Sequence, residues 1–235
     1  MLRLRLFKYR LEIHATVLLL ALFVLDSGLP GAGVVAWVAA ALLSIIIHEL
    51  GHAVTVDMVG GEVEAITLYA LGGLTSWRGP SRGWRRFVVA AAGSLSSIAL
   101  ALVLFALVKQ NVFGEFADFV IETPWTVYLG NAVAAGDWAV FFLATFIWVS
   151  VVWGAINLLP IGGLDGSTML AQVIDKVIPG RGDFHAATIG MAVAIGAGIL
   201  LYQRGYTFAP IIFLVFAGSR LLQVLRQPPP PRPPG

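Results

Sequence analysis

His48, Glu49 and His52 fall within the apolar run Ser44–Ala53. On an α-helix, residues i and i+4 share a face, so both imidazoles can reach one zinc ion. Glu49 sits beside them, placed to act as general base on the attacking water. This is the H-E-x-x-H pattern, and its surroundings are unusual. The motif lies in a hydrophobic stretch long enough to cross a bilayer, where ionisable groups are expensive to hold and mark function.

The elements that must position these residues are apolar and helical. Six hydrophobic runs divide the chain, at Ile13–Leu29, Gly33–Val56, Phe87–Val108, Trp138–Leu159, Ala186–Tyr202 and Phe208–Leu225. The first is short, the second carries the motif, and each long run matches the ~20 residues a spanning helix needs. The sequence therefore predicts an all-α membrane protein of about six transmembrane helices. A small β-hairpin or sheet is expected between the second and third, over Glu62–Trp77, where Val63, Ile66, Leu68 and Leu74 are interspersed with polar residues and punctuated by Gly60-Gly61 and Gly72-Gly73.

Composition supports this class. The 235 residues are 58% hydrophobic and 12% charged, against about a quarter charged in a soluble domain. One membrane domain is expected over residues 1–226, followed by a proline-rich, disordered tail at 227–235. The absence of cysteine leaves His and carboxylate as metal ligands. A net charge of +2, with arginines at the ends of apolar runs, fits membrane orientation and not nucleic-acid binding.

Arg3, Arg5, Lys8 and Arg10 precede the first run, Arg78, Arg82, Arg85 and Arg86 lie between the second and third, and Arg226 and Arg232 follow the last. The connection Lys109–Asp137 is acidic and contains Phe113, Phe116, Phe119, Trp125 and Tyr128, a composition suited to an interfacial helix. The positive-inside rule puts both termini and the Gly60–Arg86 segment on the cytoplasmic side of what is expected to be a prokaryotic cell membrane. The basic start could also open a signal peptide. A second apolar run follows at once, so the segment reads as a retained helix.

Catalytic zinc normally takes three protein ligands. His14 and His185 are the other histidines, both near the ends of apolar runs. Asp165 stands in Asn157–Gly166, where Pro160 and Gly162-Gly163 break the fourth run. A broken helix at depth is tolerated where protein or a polar cavity receives it. A carboxylate delivered there is placed to complete a His2Asp site, and His14 is the alternative.

These motifs together resemble the site-2 protease family of intramembrane zinc metalloproteases. His48-Glu49-Leu50-Gly51-His52 matches the family's H-E-x-G-H, and Asn157, Pro160, Asp165 and Gly166 match its N-x-x-P-x-x-x-x-D-G. Weaker similarities lie at Arg10–Leu20, Leu71-Gly72-Gly73 and Gly93. Ser94 replaces a usual proline, Ser97 a common asparagine and Ser167 a frequent glycine. The resemblance implies one zinc held by His48, His52 and Asp165, Glu49 as general base, and Asn157 steadying the site or the substrate carbonyl. It implies hydrolysis of peptide bonds in membrane-spanning or membrane-proximal substrates whose helix can unwind. The Glu62–Trp77 segment would offer a strand edge to the unwound chain. A transporter can also use intramembrane His and carboxylates, but the chain shows no clear internal repeat. A catalytically silent relative would be expected to lack Glu49 or a ligand.

Overall fold

In the computed structural model the described residues are 1–24, 29–69, 72–79, 82–108, 134–205 and 208–226. The acidic connection and the tail at 227–235 fall mainly or wholly outside them. Elements follow in the order β1 (Leu2–Leu6), β2 (Tyr9–Ile13), a 3-10 helix (Ala15–Phe23), α1 (Gly31–Met58), β3 (Glu62–Tyr69), β4 (Gly72–Arg78), α2 (Trp84–Val108), α3 (Trp138–Asn157), α4 (Asp165–Val177), α5 (Gly182–Gln203) and α6 (Phe208–Leu225). The chain forms two compact units, Met1–Gly79 with Ala92–Ala155, and Pro80–Ala91 with Ile156–Gly235.

Among the described residues four helices, α1, α2, α3 and α5, are long and apolar enough to cross a membrane; the expected count of about six is not confirmed. The described part of the first run, Ile13–Leu29, is the end of β2 and a nine-residue 3-10 helix. At about 2 Å per residue, that helix falls short of the ~30 Å hydrocarbon layer. The sixth run forms the shorter apolar helix α6. The expected hairpin or sheet is present: β3 and β4 form one half of a four-stranded sheet ordered β1-β2-β3-β4. The N-terminal basic segment supplies the other half.

In the first unit the sheet forms because its strands alternate. Leu2, Leu4 and Leu6 interleave with Arg3 and Arg5, a period-two pattern suited to a strand. β1 and β2 pair antiparallel around a turn in which Phe7 takes a positive φ of 54°. β2 then pairs in parallel with β3, Leu11 opposite Ile66, and β3 pairs antiparallel with β4. This leaves β1 and β4 as the two edges. Leu11, Ile66 and Leu68 are buried in one apolar cluster with Ala41, Ile45 and Ala53 of α1 and Phe141 and Val149 of α3. Lys8 Nζ and Tyr9 Oη both reach Asp57 Oδ2 near the end of α1, at 2.7 and 2.5 Å.

Small residues let the helices of this unit approach closely. A Cβ on Gly51 of α1 would lie 2.2 Å from Ser96 Oγ and 2.6 Å from the Ala92 carbonyl oxygen of α2. Ser150 Oγ of α3 donates to Ser44 Oγ of α1 at 3.0 Å, one turn before His48.

The second unit is held by similar close approaches. A Cβ on Gly190 of α5 would meet the Pro160 carbonyl oxygen at 2.4 Å, and one on Gly166 would meet that of Leu158 at 2.1 Å. These glycines let the 158–164 loop lie against α5 and turn into α4. Arg220 of α6 is paired with Asp183 of α5 at 2.6 Å, and Ile161, Ala194 and Ala217 form the buried centre.

Candidate metal centre

The α1 segment around Glu49 is where an apolar spanning helix turns polar. Before it, Trp37, Ala40, Ala41 and Ile45 fill the core. From Ser44 onward the buried side of the helix carries a hydroxyl and two imidazoles, with the Glu49 carboxylate turned toward β4 beside them. Helical period does the rest, since His48 and His52 are one turn apart.

His48 Nε2 and His52 Nε2 are 3.1 Å apart, with ring centroids separated by 4.8 Å and planes at 82°. Two nitrogens bound to one tetrahedral zinc at 2.0–2.1 Å stand about 3.3 Å apart, so the pair has nearly the separation one ion requires. The two imidazoles and the Glu49 carboxylate each offer a ligand atom, all mutually within 4.8 Å. His48, Glu49 and His52 are 3%, 3% and 8% exposed. The centre is thus shielded, which strengthens electrostatic interactions within it.

Neighbouring elements hold these groups at close range. On α2, a Cβ at Gly93 would lie 2.3 Å from His52 Nε2 and 2.8 Å from His48 Nε2. Any side chain there would occupy the space both nitrogens face. On β4, a Cβ at Gly73 would lie 2.3 Å from Glu49 Cγ and 2.6 Å from Glu49 Oε1. Two residues along the same strand, Thr75 Oγ1 donates to Glu49 Oε2 at 2.7 Å and lies 3.2 Å from the Glu49 carbonyl oxygen. Gly73 and Thr75 face α1 because strand side chains alternate. Leu74 between them is 55% exposed.

The remaining expected site residues lie elsewhere in the chain. Asn157 is the buried last residue of α3 and Asp165 the first of α4, both in the second unit. Leu164 is the N-cap of α4. His14, the alternative third ligand, caps the 3-10 helix, with Nδ1 accepting from Thr16 N at 3.3 Å and lying 2.9 Å from Thr16 Oγ1. His185 stands on α5, its ring edge-on to Phe184. Sequence reasoning missed the role of Thr75 and saw Gly93 only as a weak similarity. The sole hint for Thr75 was its place two residues after the double glycine.

An apolar helix thus presents two histidines and a glutamate, a group able to hold a metal ion, against a small mixed sheet. The model for peptidase family M50 matches residues 36–201, and the chain belongs to that family. It is similar to the Rip3 protein of Mycobacterium tuberculosis, 29% identical over 190 residues covering 76% of this chain and 44% of Rip3. It is also similar to the zinc metalloprotease MJ0392 of Methanocaldococcus jannaschii, 25% identical over 178 residues, 73% of this chain and 45% of that one. The chain thus spans less than half the length of these curated relatives. Among solved structures, the site-2 protease from Methanocaldococcus jannaschii shares the fold, with TM-score 0.63 and 18% identity over 94% of each chain.

Proposed function

We propose that this protein is an intramembrane zinc endopeptidase that hydrolyses peptide bonds of membrane-spanning or membrane-proximal substrates. One observation carries the reading. Two imidazoles converge at metal-ligand separation beside a buried carboxylate, one oxygen of which accepts a hydrogen bond from β4 while the side chain packs over the bare Cα of Gly73. A transporter site needs no such fixed base.

His48 and His52 would hold one zinc per chain, with Asp165 as third ligand. Zinc bound there supplies Lewis acidity, polarising the scissile carbonyl and making water acidic enough to be deprotonated. Glu49 takes the proton from the attacking water and delivers it to the leaving amine. Asn157 would steady the site or the substrate carbonyl.

A helical substrate hides its peptide bonds in hydrogen bonds and must unwind before it is cut. β4 suits the receiving role because it is a sheet edge and carries the residues that touch Glu49. A strand added at that edge runs beside the base. This moves the receiving element from the whole Glu62–Trp77 segment to its second half, since β3 is paired on both sides. Both termini and the sheet face the cytoplasm of a prokaryotic cell in this reading, following the arginines.

The test is zinc analysis of purified protein together with cleavage of a single-span test substrate, wild type against Glu49→Gln. One zinc in both and cleavage only by wild type is the expected result. Zinc-free wild type, or equal cleavage by both, would refute the reading.

A further inference from the structure

We infer that Thr75, with the bare Cα of Gly73, is the positioning device for the general base, assigning a separate task to each Glu49 oxygen. The inference rests on the peptidase reading and adds to it the strand residues that aim its base.

A glutamate side chain has three rotatable torsions, and most of their combinations point its carboxylate away from its helical neighbours. Glu49 follows His48 directly, so it does not share the face of the two histidines in the way they share it with each other. Something outside α1 must select the productive rotamer. Thr75 Oγ1 lies 2.7 Å from Glu49 Oε2 and 3.2 Å from the Glu49 carbonyl oxygen. A hydroxyl has one proton to donate. The shorter contact, to a carboxylate, is the stronger of the two, because hydrogen bonds to charged acceptors are shorter and stronger than neutral ones. The hydroxyl therefore engages Oε2.

The other oxygen is placed by an absence of atoms. Oε1 stands 2.6 Å from where a Gly73 Cβ would be, and Cγ stands 2.3 Å from it. The carboxylate occupies volume that every other residue type at position 73 would fill. With Oε2 committed to Thr75, Oε1 is left to receive the proton. Both contacts come from alternate positions of one strand, so the register of β3 and β4 sets the aim. The Thr75 hydroxyl contacts Glu49, so its part in the reaction is played through that side chain.

The test uses the full chain in detergent or vesicles with a single-span substrate. Thr75→Val keeps the shape and β-branching and removes the hydroxyl, while Thr75→Ser keeps the hydroxyl. Expected for Thr75→Val is kcat lower by about tenfold or more, KM within about twofold, and zinc unchanged, the rate loss corresponding to one misdirected proton transfer. Thr75→Ser should recover to within about threefold of wild type. Gly73→Ala should show the same signature, lower kcat with zinc retained, by pushing the carboxylate aside. A melting-temperature cycle of Thr75→Val, Glu49→Ala and the double variant reads the contact without activity, and its shifts should be non-additive. Wild-type kcat in Thr75→Val would overturn the inference, as would equal losses in the Val and Ser variants, a change confined to KM, or additive melting shifts. Non-additive melting with wild-type kinetics would overturn the positioning role while leaving the peptidase reading intact. A wild type with neither zinc nor cleavage would overturn both.

Discussion

Toward α2, helix α1 turns His48 and His52 to the bare Cα of Gly93. Toward β4 it turns Glu49 to Gly73 and the Thr75 hydroxyl. On the first side the spacing of the reactive atoms comes from α1 itself, through the i, i+4 relation. The neighbour has only to stay out of the way. On the second side α1 cannot fix the outcome, because the carboxylate is remote from the backbone. A hydrogen-bonding partner is needed, and a strand supplies it. Metal ligation and proton transfer thus depend on different parts of the fold and should fail separately.

The most severe way to break this comparison is to remove the reactive groups. His48→Ala or His52→Ala should abolish both zinc binding and cleavage. Glu49→Gln should keep the metal and lose about 10²–10⁴-fold in turnover, the usual contribution of a general base. Metal analysis and single-turnover cleavage on the same preparations separate the two, and zinc loss in Glu49→Gln would erase the distinction.

The glycines sharpen it. Gly93→Ala should weaken zinc affinity on the order of 10–100-fold, comparable to disturbing a ligand's surroundings. Excess zinc should then restore part of the activity. Gly73→Ala should retain zinc and gain nothing from added metal. Identical behaviour of the two variants in a zinc titration would mean that the two sides of α1 are not separable.

Asp165→Ala tests whether the first unit suffices for the metal. Zinc should still bind, more weakly, and cleavage should fall. Full affinity in equilibrium dialysis would assign the third position to another group.

A milder perturbation addresses the β4 edge. Proline cannot donate the N–H that an added strand would need. Proline at alternate positions of β4 should impair cleavage of a helical substrate more than alanine there, with zinc retained. An already extended peptide should be affected less. Equal effects of proline and alanine on both substrates would rule out strand addition.

The smallest effect concerns Tyr9. Burial, then the hydrogen bond to Asp57 and that carboxylate's charge, push its phenol from 10.0 up to about 12. A raised pKa stabilises the fold below the unfolded value, and that contribution fades as pH rises from 10 through about 12. The melting difference between wild type and Tyr9→Phe should therefore narrow over this range. A constant difference from pH 9 to 12 would show that the Tyr9–Asp57 bond does not titrate.

Much of this architecture was legible in the sequence, for unequal reasons. H-E-x-x-H and the long apolar runs are local patterns, and the helices α1, α2, α3 and α5 followed from them. The β3–β4 hairpin was legible from its glycines and alternation. The N-terminal strands were not read, although Leu2 to Leu6 alternate cleanly, because the arginines between them also fit a topological signal. Their parallel partner lies beyond α1, where no local turn announces it. Thr75 was invisible for a related reason. Its task depends on which way β4 faces α1, and that follows from packing and register rather than from residue type.

The parallel pairing of β2 with β3 also has a consequence for biogenesis. Leu11 meets Ile66 only after the whole of α1 has been synthesised. Until then β1 and β2 form an isolated two-stranded hairpin, which is marginal in water. β4, the last strand, emerges later still. The nascent chain therefore contains both imidazoles and the carboxylate before the strand that contacts the carboxylate has been made. In the proposed peptidase the base would be aimed only once the opening residues of the chain are joined by a hairpin made some fifty residues later, and the third ligand, Asp165, follows later still.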